Sequence, residues 1–274
     1  MGPLNAFSKN ARAIYLKNAD LQLYRNFEKQ FEDWIYSSKK TVKGLPEKSF
    51  LASGITDAFN MLYGMYNVIG IFPGEYSYHR LVLPKHRITY DLDTADVIII
   101  SHPFSADGMS SVERLKIADN YNKPIFVDCA YFGVCDNINF DFTSYKNIDS
   151  VAFSLSKTFG TGSYRIAKVF SNSEYPAYVY EDWEYHLHSS AAYHYDIINK
   201  VSPDDTYNKF RHLQLEICNE YKLTPSDTVI FALDYDKLDV YKYYDRDIVN
   251  RMCISAELNK RSGLFYKIFK RFHI

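Results

Sequence analysis

Cysteine is scarce. The four in 274 residues, Cys129, Cys135, Cys218 and Cys253, are too few for a disulfide scaffold, and no two form a C-x-x-C pair suited to metal or redox chemistry. A reducing, cytoplasmic setting is expected. Long apolar runs are missing too. Val97 to Ile100 and Val229 to Leu233 fall far short of the roughly 20 residues of a membrane span, and the opening MGPLNAFSKNARAIYLK lacks the apolar stretch of a secretory signal. An excess of either charge is absent: 32 Lys+Arg against 33 Asp+Glu leave -1. No basic field exists to hold nucleic acid or an acidic membrane surface, so neither is expected as a partner. Repeats and Pro- or Gly-rich linkers are also lacking, and domains must be inferred from pattern.

What is present describes a folded chain. Hydrophobic residues make up 47% and charged residues 24%, the balance of a globular protein. At 274 residues against about 150 for a typical domain, one large domain or a large and a small one are expected. Aromatics are plentiful, with 25 Tyr and 19 Phe, enough to line a site as well as a core.

The middle of the chain is the most readable. SFLASG followed by TDAFNMLYGMY, with Ala58, Phe59, Leu62, Met65 and Tyr66 at helical spacing, predicts strand, turn and helix. ADVIII, PIFVDC and SVAFSL are short, unbroken apolar runs of the kind buried parallel strands show. Between the first two, Met109, Val112, Leu115, Ala118 and Tyr121 mark a helical face. The alternation predicts an α/β fold with right-handed crossovers. Further helices are predicted around Leu21 to Trp34 and from Ser202, a cap residue followed by Pro203, Asp204 and Asp205, with Tyr207, Phe210, Leu213, Ile217 and Tyr221 on its buried face. TVIFALDY and NRMCISAEL then suggest strands of a small α+β domain. The expected division is 1–44 as an N-terminal segment and helix, 45–171 as the large domain and 172–274 as the small one.

In such a sheet ligands bind at the carboxyl ends of the strands, which directs attention to the residues closing each apolar run. Ser53, Gly54, Ile55 and Thr56, followed by Asp57, form a strand-to-helix turn whose free amides suit a phosphate or simply a cap. Asp128 ends PIFVDC, where a buried carboxylate needs a cationic partner. Lys157, in SVAFSLSKTFGTGSYR, closes a buried strand between flanking Ser154 and Ser156 and ahead of Arg165. It either snorkels to solvent or serves as a Schiff-base amine. GTGSYR half-matches a dinucleotide loop, but Arg165 stands at the third glycine position and the loop follows the wrong strand, so that reading is discarded. Arg251 enters a strand of the small domain, as a surface charge or as a ligand. His186, His188 and His194 have no Cys or carboxylate at ligand spacing and are expected to line the cleft or a subunit contact, with no metal. The basic, aromatic end KRSGLFYKIFKRFHI is expected to be a terminal helix packing on the small domain.

A lysine amine, a carboxylate upstream, a phosphate-holding turn and well-placed arginines are together what a pyridoxal-phosphate enzyme requires. The chain resembles the fold-type-I pyridoxal-phosphate enzymes, specifically the class I/II aminotransferases of the histidinol-phosphate aminotransferase branch, from about Tyr15 to Ser255. DCAY and SLSKTFGTGSYR, in order and at nearly the family's separation, carry the resemblance. It implies a three-layer large domain with a mainly parallel sheet plus a small domain, and an aminotransferase acting on an amino acid. Lys157 would carry pyridoxal 5'-phosphate as a Schiff base and shuttle the proton; Asp128 would pair with the ring nitrogen, and Tyr131 with the ring's phenolic oxygen.

The resemblance also assigns phosphate contacts to the backbone of Ser53, Gly54 and Ile55, to Ser154, Ser156 and Arg165, and to Tyr15 reaching from a second subunit, so a homodimer is implied. Tyr76 would stack on the ring, and Arg251 would grip the substrate carboxylate. The chain departs from the family in two ways. Pro103 to Gly108 carries Ser105 where the family's P-x-N-P-x-G has the asparagine that meets the ring oxygen, and the chain is short. A lyase or decarboxylase on the same scaffold, or a noncatalytic relative, is the alternative.

Overall fold

The computed structural model of the chain describes residues 21–177 and 187–263. The apolar runs become strands of one sheet: β2 (Ser49–Ala52), β3 (Ile69–Ile71), β4 (Ile88–Thr89), β5 (Val97–Ser101), β6 (Ile125–Cys129), β8 (Ile148–Ser154) and β9 (Ala167–Ser171). β1 (Val42–Lys43) and β7 (Phe140–Asp141) pair separately as a short parallel ribbon. Among the described residues the main sheet has seven strands in the order β2-β9-β8-β6-β5-β3-β4. β8, β6, β5, β3 and β4 run parallel to one another, whereas β9 is antiparallel to both β8 and β2.

Unbroken apolar strands demand cover on both faces, and the alternation of side chains divides them between two layers. Ile98 and Ile100 of β5 and Ile125, Val127 and Cys129 of β6 meet Tyr24, Phe27, Phe31, Trp34 and Ile35 of α1 (Leu21–Tyr36). Val97, Ile99 and Phe126 point the other way, to Ile55, Ala58, Phe59 and Leu62 of α2 (Ile55–Met65). Each fully buried Phe or Ile contributes about 1.5–3 kcal/mol, which makes α1 a structural layer of the large sheet and not an appendage. The short α3 (Tyr78–Val82) follows β3, and α4 (Val112–Asp119) crosses from β5 to β6. Leu115 and Ala118 hold α4 on the α1 face; Met109 precedes it and Tyr121 follows it, exposed, because the helix is shorter than the predicted face.

The segment 172–274 divides between two environments. α6 (His188–Ile198) packs Ala191 and Ile198 into the α1 layer. α7 (Asp205–Tyr221), the antiparallel sheet of β10 (Thr224–Pro225), β11 (Phe231–Asp234) and β12 (Asn250–Cys253), and α8 (Ser255–Arg261) form a smaller unit around Ile217, Cys218, Ala232, Met252 and Leu258. A further cluster joins Tyr207, Phe231, Leu233 and Val249 of that unit to Phe104, Ala106, Tyr131 and Val134. This contact seats β11 and β12 over the carboxyl ends of β5 and β6.

Two local expectations change. α7 begins at Asp205, with Asp204 at the cap position and not Ser202. The Asp204 carboxylate is turned to Lys40, to the Ser38 hydroxyl and to the Lys39 amide, so it ties the helix start to the segment after α1. Lys157 does not close β8; it lies on α5 (Ser156–Phe159), a single turn beyond the strand, where it is exposed. A strand position would have buried its ammonium, and the turn avoids that cost.

Candidate active site

Parallel strands in register bring their last residues together. Ser101 pairs with Asp128 across β5 and β6, and Asp128 with Ala152 across β6 and β8. Above this edge lies a cavity of about 250 Å³, near the lower end of the range for small-molecule sites. Ile55, Thr56, Phe59, Tyr76, Ser105, Asp128, Tyr131, Ser154, Ser156, Lys157 and Arg165 all border it, together with Ser101, Ala130 and Gly162.

One end is built for an anion. Gly54, at φ +79, turns the chain from β2 into α2, leaving the first amides of an eleven-residue helix open. Arg165 lies over this turn and donates from Nη2 to Thr56 Oγ1 at 2.7 Å. Ser154 and Ser156 border the same cavity: Ser154 Oγ accepts the Ser156 amide at 3.2 Å, while Ser156 Oγ is buried without a hydrogen-bond partner. Ser53 and Gly54 shape the turn without bordering the cavity; the Ser53 amide is taken by Asp57 at 3.0 Å. An unpartnered hydroxyl, a guanidinium and free helix amides fit a phosphate dianion.

The floor is acidic. Asp128, 6% exposed, accepts the Ala130 amide at 2.8 Å, and burial together with the nearby Glu75 carboxylate pushes its pKa up to about 7. Glu75 is itself buried and accepts from the Ser101 amide at 2.8 Å, the Tyr76 amide at 2.7 Å and the Ser101 hydroxyl. Tyr131 opens the turn Phe132–Val134, packs edge-on against Phe231 at 5.0 Å, and is held protonated by burial, its pKa pushed up to about 12.

The roof carries the cation and the aromatic. Lys157 makes no hydrogen bond among the described residues and stands in electrostatic range of Asp128. Tyr76 stacks on Tyr78 at 5.9 Å and stands edge-on to His79 at 6.0 Å. Arg251, paired with Leu233 across β11 and β12, donates from Nη1 to the Ser105 carbonyl and lies 4.3 Å above the Phe231 ring. Its Nε is buried and unpartnered, which leaves one donor of the fork free.

Ten of the residues singled out in the sequence thus border one cavity, and Arg251 is tied to its wall through Ser105. Tyr15 and His186 lie outside the described residues. His194 is buried away from the cleft, between Thr161 Oγ1 and the Ser190 carbonyl, both at 2.8 Å, and His188 packs on Tyr24. Among the described residues no group of three His, Cys, Asp or Glu side chains is placed to hold a metal. Ser101 and Glu75 were not singled out in the sequence. The one signal for Glu75 was a carboxylate inside the apolar and aromatic stretch IGIFPGEYSYH.

The sequence matches no family model and no curated protein. Solved structures match the fold at low identity. A pyridoxal-phosphate-bound C-S lyase from Staphylococcus hominis has a TM-score of 0.61 at 12% identity, over 85% of this chain and 76% of that one. The histidinol-phosphate aminotransferase from Clostridium acetobutylicum has a TM-score of 0.59 at 16% identity, over 88% and 87%. The L-threonine-O-3-phosphate decarboxylase from Porphyromonas gingivalis has a TM-score of 0.54 at 14% identity, over 81% and 84%. The chain has the three-layer fold of the fold-type-I pyridoxal-phosphate enzymes.

Proposed function

We propose that the chain is a pyridoxal-5'-phosphate-dependent enzyme acting on amino acids, and specifically an aminotransferase. The observation that carries this reading is the gathering of Asp128, Tyr131, Ser156, Lys157 and Arg165 around one cavity at the strand ends. The residues fit the cofactor: the open amides of α2, Arg165 and the unpartnered Ser156 hydroxyl for its phosphate, Tyr76 for a ring face, Asp128 for the ring nitrogen and Tyr131 for the phenolic oxygen. Bound there, pyridoxal phosphate would supply the electron sink for a bond broken at the substrate Cα.

The rest is the work of the chain's own groups. An ionised Asp128 would favour a cationic ring nitrogen. Lys157, free of hydrogen bonds and at the cavity edge, is the amine placed to take and return the Cα proton. Arg251 would hold the substrate carboxylate with the donors that Ser105 leaves free, fixing which bond at Cα lies perpendicular to the ring. Holding the carboxylate favours loss of the Cα proton over loss of carbon dioxide. Two copies of the chain are expected to assemble, since the tyrosine assigned to the partner's phosphate is Tyr15.

The likeness to a C-S lyase keeps a lyase as the second reading. The visible absorbance of purified protein supplied with pyridoxal phosphate separates the two, with Lys157→Ala as control. A band that one amino acid bleaches and a keto acid restores supports the aminotransferase. A band that persists while cystathionine yields free thiol and ammonia supports the lyase. No band at any cofactor concentration overturns both.

A further inference from the structure

Glu75 is a second carboxylate beneath the site, and the assigned roles leave it unused. It is 2% exposed and sits on the segment between β3 and α3, next to Tyr76. Its two oxygens take both donors of Ser101, the amide and the hydroxyl, and Ser101 is the register partner of Asp128 on the adjoining strand. Ser101 thus links Glu75 to the strand end that carries Asp128, and the two buried acids lie within electrostatic range, where the Glu75 carboxylate raises the cost of ionising Asp128.

We propose that Glu75 is a positioning residue for Asp128: the two carboxylates form a buried pair that holds one proton between them in the cofactor-free protein, and the pair releases that proton to solvent when a cofactor with a cationic ring nitrogen settles beside Asp128. The proposal rests on the cofactor reading above. No other atom moves in the exchange; the charge lost as a proton is replaced by the ring cation.

The surroundings decide where the proton sits. Glu75 has three hydrogen-bond donors and Arg114 of α4 in electrostatic range, all of which favour its ionised form against the burial that opposes it. Asp128 has one donor, the Ala130 amide, with Lys157 of α5 the cation in range. The other groups facing Asp128 are Tyr63 of α2, Tyr76 beside Glu75, Cys129 and Tyr131, and each of them is itself raised by burial, so none is a source of charge at neutral pH. Arg165 and Arg251 act on Tyr76 from the rim. Burial raises both carboxyls, and Asp128, with one donor against the three of Glu75, is the better seat for the shared proton. Two ionised carboxylates side by side would repel, and a ring cation above Asp128 removes that repulsion.

The test is the affinity of the cofactor-free protein for pyridoxal phosphate across about pH 5.5 to 8, for wild type and Glu75→Gln. Gln keeps the size and one acceptor but not the charge. Between about pH 5.5 and 7, log Kd of the wild type should fall more steeply with pH than that of the variant, because Glu75 adds to the burial that keeps a proton on Asp128 and the variant has less of that proton to shed. Equal slopes with binding intact overturn the role of Glu75 and leave the cofactor reading standing. No binding at any pH overturns the cofactor reading.

A second measurement needs neither the cofactor nor the Gln variant. Infrared spectra of the cofactor-free protein should show a protonated carboxyl band at about pH 6 that is gone by about pH 8 and is missing in Asp128→Asn. Absence of that band in the wild type at pH 6 overturns the proposal whatever the cofactor does.

Discussion

The guanidinium of Arg165 occupies the space beside Gly54, with Nε and Nη2 at 2.7 and 2.8 Å from where a Cβ on that glycine would stand. The missing side chain is what lets a cation lie over the amino end of α2. Gly54→Ala would meet both the φ of +79 and the guanidinium, so a destabilisation of about 1–3 kcal/mol is expected, together with displacement of Arg165. A thermal melt should drop by several degrees, and affinity for pyridoxal phosphate should fall at least about tenfold if one charge-assisted bond to the phosphate is lost. Unchanged affinity would mean that Arg165 does not hold the phosphate.

Asp128 makes function costly to stability. Its pKa is raised from 3.8 in the open chain to about 7, by burial first and then by Glu75. Between those values the folded state holds a proton that the unfolded chain has released, so the cofactor-free protein loses stability as pH rises from about 4 to 7, by at most about 4 kcal/mol. Asp128→Asn removes that cost. In urea melts of cofactor-free protein the variant should gain on the wild type at about pH 8 and show little gain at about pH 4, while its affinity for pyridoxal phosphate collapses.

Arg251→Ala should leave the cofactor in place and strike the substrate. Its guanidinium holds the Ser105 carbonyl and keeps one buried donor free, so its loss should raise KM for the amino acid about 10- to 100-fold, the value of a hydrogen bond to a charged group. Arg251→Lys should recover little, because a single ammonium cannot reproduce the planar fork over Phe231. Steady-state kinetics with the donor found by the absorbance test would read both; an unchanged KM in Arg251→Ala removes the carboxylate role.

Lys40 and Asp204 anchor the start of α7 to the segment after α1, and their side chains are 2% and 11% exposed. Lys40→Met would leave Asp204 without its cation, at an expected cost of about 3–5 kcal/mol in urea denaturation at pH 7. Burial raises the Asp204 carboxyl, but the Lys39 amide, Lys40 and Ser38 outweigh it and hold it below its ordinary value. Its stabilising contribution is therefore present above the open-chain value and lost as pH falls through the folded one. The difference between Lys40→Met and wild type should shrink below about pH 4.

Much of the architecture was legible because it depends on period alone. Val97 to Ile100, Ile125 to Val127 and Val151 to Phe153 are apolar without alternation, which only two-sided burial explains, and they lie in the adjacent parallel strands β5, β6 and β8. Ala58, Phe59 and Leu62 repeat at helical spacing and form the buried face of α2. Boundaries were less legible. The polar start of α7 pointed to Ser202 as the cap, with Asp204 and Asp205 in the first turn; the cap position is Asp204, whose carboxylate is held by Lys40, a residue more than a hundred and sixty positions away.

The chain by itself determined its class and most of the residues at the strand ends, because a buried parallel strand must be apolar until it stops, and the residue where it stops is exposed to the ligand edge. Asp128 and Ser154 were found in that way. Tertiary structure alone decided which of these residues meet. Glu75 is tied to the strand end of Asp128 only through Ser101, which pairs with it across β5 and β6, and Arg165 reaches Thr56 only through the turn that Gly54 opens. Lys157 changed from a strand residue to an exposed amine because α5 lifts it out of the sheet. Spacing along a chain sets which way a side chain points within its own element. The proton affinity of a carboxylate depends on what other elements place beside it, and that depends on register and packing, which no local pattern encodes.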